Sequence, residues 1–124
     1  MAMKAEPERV RLDQGALDRL RELDPDGRHG VLGRVLQAFE TSLARMLLQL
    51  QSEIGQGRAA TVAGVAHTLK SSAASVGAKA LAQRCAEVER QRQGGQADGL
   101  DEDVHSLIAE GELALQAVRA MLKV

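Results

Sequence analysis

Through the first half of this chain apolar residues recur at steps of three and four. Leu32, Val35, Leu36, Phe39, Leu43, Met46, Leu47, Leu50 and Ile54 keep that step, which predicts an amphipathic helix over about 28–54. Gly55-Gln56-Gly57 ends it, because glycine adopts the left-handed conformation that helix ends use. A second stripe, Val62, Val65, Leu69, Ala73 and Val76, predicts a helix over about 58–76 that Gly77 closes. Leu81, Cys85 and Val88 mark the buried side of a third helix, starting near Ala78. So short a connection makes these two helices an antiparallel hairpin. The segment 94–99, GGQADG, reads as a flexible loop. Val104, Ile108, Gly111, Leu115, Val118 and Leu122 then run through a last helix, with Asp101 as its expected cap. Gly111 on that seam predicts a close helix contact, since an internal glycine otherwise costs about 1 kcal/mol.

Ahead of these lies a shorter pattern. Asp13 is placed to cap a short helix carrying Leu17, Leu20 and Leu23. Asp24-Pro25-Asp26-Gly27 stops it, because a residue before proline disfavours helix and Gly27 supplies turn freedom. Residues 1–11 are charged and aperiodic, and read as a loose lead-in or linker. Residues 12–124 are left as one domain. Nothing alternates as a strand does, and no internal repeat is present. The expected fold is all-α: an antiparallel four-helix bundle with a short additional N-terminal helix.

Composition agrees. Phe39 is the single aromatic residue and the apolar fraction is 44 %, so the core must be built from aliphatic side chains, which suits packed helices. The 16 basic and 17 acidic residues leave a net charge of −1. No basic tract stands out, so nucleic acid is not the expected partner. No apolar run is long enough to span a bilayer. Cys85 is the only cysteine, which excludes an intrachain disulfide and suits a cytoplasmic location.

The second stripe also fixes where His67 points. At about 100° per residue, Val62, Val65, Leu69, Ala73 and Val76 lie roughly 120–180° from it around the axis. His67 therefore faces away from the core. Ala60, Ala63, Gly64, Ser71 and Ala74 share its side, all within about 60°. A neutral imidazole keeps a lone pair that attacks phosphorus well, and these small neighbours leave room for a partner carrying the phosphoryl group. Lys70, one turn on, can balance phosphate charge, and Ser71 can offer a hydroxyl to a phosphoryl oxygen. On periodicity alone, a solvated histidine beside a solvated lysine fits these positions as well.

The segment Ala66–Gly77, AHTLKSSAASVG, resembles the signature of histidine phosphotransfer domains, the carrier modules of bacterial two-component phosphorelays. Their pattern is His-x-Leu-Lys-Gly-Ser-small-x-x-hydrophobic-Gly. The likeness extends over roughly 12–122, by order of elements. It departs at Ser71, where the family has glycine. The resemblance implies a four-helix bundle with an exposed phosphorylated histidine, His67, and Lys70 beside it to stabilise the phosphoryl group. It implies a phosphoryl carrier with no ATP-dependent kinase activity and no cofactor of its own, the Mg²⁺ belonging to the partner receiver domain. Receiver domains of response regulators are the implied partners, with a hybrid sensor kinase in the same chain as a further one. Docking is expected on the His67 helix and the adjacent Phe39 helix.

Other candidates carry less. His29 is expected at the start of a helix and His105 beside the core seam of the last, neither at a metal-ligand spacing. Cys85 reads as a small buried hydrophobe. Glu89, one helix from the site, reads as an exposed helix carboxylate; its other reading is a group that orients His67. Two further functions compete: a non-catalytic helical interaction module, and a bundle enzyme or metal protein that uses His67 as base or ligand. The second of these lacks an acid–base partner or a second ligand.

Overall fold

The computed structural model describes residues 12–123, and the expected lead-in over 1–11 lies outside them. Five helices follow one another: α1 (Gln14–Glu22), α2 (Val31–Glu53), α3 (Ala59–Ser75), α4 (Lys79–Arg92) and α5 (Leu100–Leu122). Among the described residues there is no strand. Helix α3 packs along α4, α4 on α5, α5 on α2 and α2 on α3, so the four long helices close a ring, and α1 lies against α2. The four-helix bundle with a short leading helix is the architecture the periodicities predict.

The stripes are the core. Leu36, Phe39, Leu43, Met46, Leu47 and Leu50 of α2 are buried, facing Val62, Val65, Leu69 and Ala73 of α3, Leu81, Cys85 and Val88 of α4, and Val104, Leu115 and Val118 of α5. Gly111 is the close contact expected. A Cβ there would stand 2.5 Å from Leu47 Cδ2 and 3.6 Å from Leu43 Cδ1, so α2 and α5 meet across a bare backbone.

Helix ends differ from expectation in three places. Helix α2 begins at Val31, after Gly30 in the left-handed region at φ 61°, so His29 lies in the preceding turn. The cause is Asp24. Its buried carboxylate accepts the N–H groups of His29 at 3.1 Å and Val31 at 3.2 Å, which closes the turn before the helix starts. Leu23 is 71 % exposed. Helix α1 stops at Glu22 and turns Leu23 out of the stripe, while Leu17 is fully buried. Asp101 is not the cap of α5. Gly99 at φ 74° is, and Asp101 Oδ1 accepts Gly55 N–H at 3.0 Å, tying the α2–α3 loop to the first turn of α5.

The segment expected as a free loop is pinned. Arg92, buried at the end of α4, donates to Asp103 Oδ2 at 2.9 Å and to the carbonyls of Gln96 at 2.9 Å and Asp98 at 2.7 Å. Arg92→Ala leaves three acceptors without their partner and is expected to cost about 1–3 kcal/mol, read as a lower urea midpoint with an unchanged slope.

Candidate functional site

Helix α3 presents its polar face as the wheel requires. Ala60, Gly64, Ser71 and Ala74 are exposed and Ala63 is half-buried. The His67 side chain is 67 % exposed. A Cβ at Gly64 would meet nothing within 4 Å. No packing requirement among the described residues explains this glycine, although a mid-helix glycine weakens the helix.

The end of α3 decides what comes to face His67. Gly77 has φ 78°. Its N–H donates to Ala74 O at 3.1 Å, and Ala78 N–H donates to Ala73 O at 2.9 Å. This is the paired bonding of a left-handed helix cap, which closes α3 and reverses the chain within one turn. Helix α4 then runs back along α3. Residues at similar distances before and after the turn become neighbours, and Glu89, 22 positions beyond His67, comes level with it.

Glu89 is therefore part of the site, and the expectation of an exposed carboxylate is corrected: its side chain is 21 % exposed and both oxygens are engaged. Oε2 lies 2.7 Å from His67 Nδ1, and Oε1 accepts from Lys70 Nζ at 2.7 Å. Lys70 thus points at the carboxylate on α4. The hydrogen bond from Lys70, and after it the one from His67, holds the Glu89 carboxyl below its ordinary value against a smaller opposing effect of burial. The sign follows: the contribution of this network to the fold is complete above the ordinary glutamate range and is lost as pH falls through the lowered value.

The network sets the histidine tautomer. Ionised Glu89 has no proton to give, so Nδ1 must be the donor in its bond to Oε2. The lone pair of the neutral ring is then on Nε2, the nitrogen on the ring edge turned from Glu89. An exposed imidazole nucleophile with its other nitrogen held by a carboxylate is an arrangement suited to group transfer.

The remaining candidates fall elsewhere. Ser71 is exposed one turn beyond His67, outside the Glu89 network. His105 on α5 sets Nδ1 2.8 Å from Asp101 O. Cys85 is fully buried, and burial pushes its thiol up to about 12, so it is no thiolate at neutral pH. Among the described residues no group of three or more His, Cys, Asp or Glu is placed to hold a metal ion, and no helix is long and apolar enough to cross a membrane. Between α2 and α3 lies a groove of about 400 Å³, lined by Arg45, Met46, Gln49, Thr61, Gly64, Val65 and Thr68.

Comparison with known proteins bears on the family and the fold. The family model for the Hpt domain matches residues 34–123. Among solved structures, the chain is similar to histidine-containing phosphotransfer protein B (HptB) from Pseudomonas aeruginosa PAO1. The TM-score is 0.77 at 21 % identity, over 90 % of this chain and 94 % of that one, a likeness of fold. No curated protein sequence matches.

Proposed function

The chain belongs to the Hpt domain family, and from that premise we propose that it is a phosphorelay carrier, which takes a phosphoryl group onto His67 from the aspartate of one receiver domain and passes it to another. The observation that carries this reading is the imidazole held at Nδ1 by Glu89 while its side chain stays 67 % exposed. In the proposed step the Nε2 lone pair forms a bond to phosphorus. The bond from phosphorus to the aspartate oxygen breaks, and its electrons return to the receiver's carboxylate. The ring keeps its Nδ1 proton and becomes cationic, facing the ionised Glu89. The reverse step restores the neutral ring.

Access supports the same reading. The exposed Gly64 and Ala74 and the half-buried Ala63 leave His67 clear of large side chains. The groove between α2 and α3 lies between the two helices expected to dock a receiver. The chain acts in this reading as a carrier without ATP-dependent kinase activity, and the receiver supplies the Mg²⁺.

The test is incubation with a receiver bearing labelled aspartyl phosphate. The label is expected to move to this chain, to be labile in acid and stable in base, and to map to His67. A label mapping to any other residue, or none moving at all, overturns the reading. In this reading Lys70 holds Glu89 in place, and through it the orientation of the His67 ring. Lys70→Ala is expected to slow transfer about tenfold, near 1.4 kcal/mol of barrier, with the helical circular dichroism unchanged. An unaltered transfer rate would remove Lys70 from the mechanism.

A further inference from the structure

The Lys70 ammonium is spent on Glu89, at 2.7 Å and on the α4 side of the histidine. A phosphoryl group on Nε2 would sit on the other edge of the ring, so the donors available to it there are a separate question. Helix α3 carries three serines. Two are committed: Ser72 Oγ donates to Leu69 O at 3.2 Å and Ser75 Oγ to Ser72 O at 2.8 Å, each one turn back along the helix. Ser71 has no such bond among the described residues and is exposed.

Its position favours His67. Side chains on a helix lean toward the N-terminus, so a residue four positions on lies over the one before it, with Cβ atoms about 5–6 Å apart. Ser71 therefore leans back toward His67. Thr68, the other hydroxyl close by in the chain, lines the α2–α3 groove. The remaining neighbours on this face, Ala60, Ala63, Gly64 and Ala74, have no side-chain donor.

We propose that the Ser71 hydroxyl donates a hydrogen bond to the phosphoryl group on His67 and so prolongs the life of the phosphorylated carrier. The inference rests on the carrier reading and adds to it a residue that governs how long the phosphoryl group is held. A donor that meets the phosphoryl oxygens only after transfer stabilises the phosphorylated state selectively. It shifts the phosphoryl equilibrium toward this chain and slows loss to water. No bond to Ser71 is made or broken.

The test uses phosphoramidate, a small donor that phosphorylates histidine without a receiver. Hydrolysis of the phosphohistidine is followed by ³¹P NMR in the wild-type chain, Ser71→Ala and Ser71→Thr. Ser71→Ala is expected to hydrolyse about three- to tenfold faster, the range for one exposed charge-assisted hydrogen bond, with a displaced ³¹P resonance. Ser71→Thr, which keeps the hydroxyl, is expected to restore the slow rate. Equal rates in the wild type and Ser71→Ala overturn the inference and leave the carrier reading standing. A wild-type chain that phosphoramidate does not label at His67 overturns both.

Discussion

His67→Gln is expected to abolish phosphoryl acceptance while leaving the unfolding free energy within about 0.5 kcal/mol of the wild type, as for other exposed substitutions. The amide of glutamine has no nucleophilic lone pair at nitrogen, so the chemical step is lost outright. The side chain is 67 % exposed, and an amide N–H can still donate to Glu89, so the fold loses little. His29→Gln and His105→Gln serve as controls. The first lies in the turn before α2, the second beside Asp101 O on α5, and both should accept phosphate at the wild-type rate. Glu89 gives the graded case. Glu89→Gln keeps an oxygen for Nδ1–H but removes the negative charge that faces the cationic ring, and is expected to slow transfer about tenfold. Glu89→Ala removes the orienting bond as well and should fall further, toward the hundredfold loss typical of removing a group that orients a reactive histidine. Rapid-quench transfer from a phosphorylated receiver measures the whole series. Acceptance that survives His67→Gln, or a Glu89→Ala rate equal to the wild type, contradicts the site as described.

What made His67 legible was the apolar stripe on the opposite side of its helix. Val62, Val65, Leu69, Ala73 and Val76 had only one way to face a core, and His67 had to face out. The same stripes placed all four long helices, and Gly111 on a seam announced the close approach of α2. Glu89 was harder to read because it is one of several charged residues around the buried Val88. Glu87, Glu89 and Arg90 all suit a solvated face, and a periodicity does not say which polar residue is opposite which. The signal was present in the hairpin: with the chain reversing at Gly77, a residue near 89 must come level with 67. Lys70 lies one turn from His67 along α3, and its pairing with Glu89 belongs to that same cross-helix contact. The helix starts failed for another reason. Asp24 and Asp101 both have capping chemistry, yet Asp24 reaches from before the turn to the N–H groups of His29 and Val31, and Asp101 spends its carboxylate on Gly55 N–H in the α2–α3 loop. Glu53 was unexpected too. It is buried because Arg58 meets both its oxygens at 3.0 Å across the α2–α3 turn, which lets a charge occupy a core position.

Gly77→Ala is expected to be strongly destabilising, by roughly 2.5–5 kcal/mol, and two effects add to reach that figure. The first is conformational: at φ 78° a side chain carries a strain of about 1–2 kcal/mol. The second is steric. A Cβ at this position would lie 2.6 Å from Asp13 N and 2.9 Å from both Asp13 O and Asp13 Cβ. Two of these atoms are backbone, so no rotamer change relieves the clash. The contact is also a bond, because Asp13 N–H donates to Gly77 O at 2.8 Å. Asp13 in turn caps α1 by accepting Ala16 N–H at 3.1 Å. To admit the methyl group, α1 must lift away, and fully buried Leu17 loses packing worth about 1.5–3 kcal/mol. Against a typical stability of about 5–15 kcal/mol, the expected fall in Tm is roughly 10–20 °C. Two other glycines separate the effects. Gly27 has φ 71° with nothing near its missing Cβ, so Gly27→Ala should show the strain alone. Gly64 has neither constraint, and Gly64→Ala should gain up to about 1 kcal/mol of helix stability. A Gly77→Ala chain that melts with Gly27→Ala would mean that α1 is not tied to the hairpin turn. If it melts far below, as expected, phosphoryl acceptance should fall with it well before unfolding, because the turn at Gly77 sets the register that brings Glu89 level with His67.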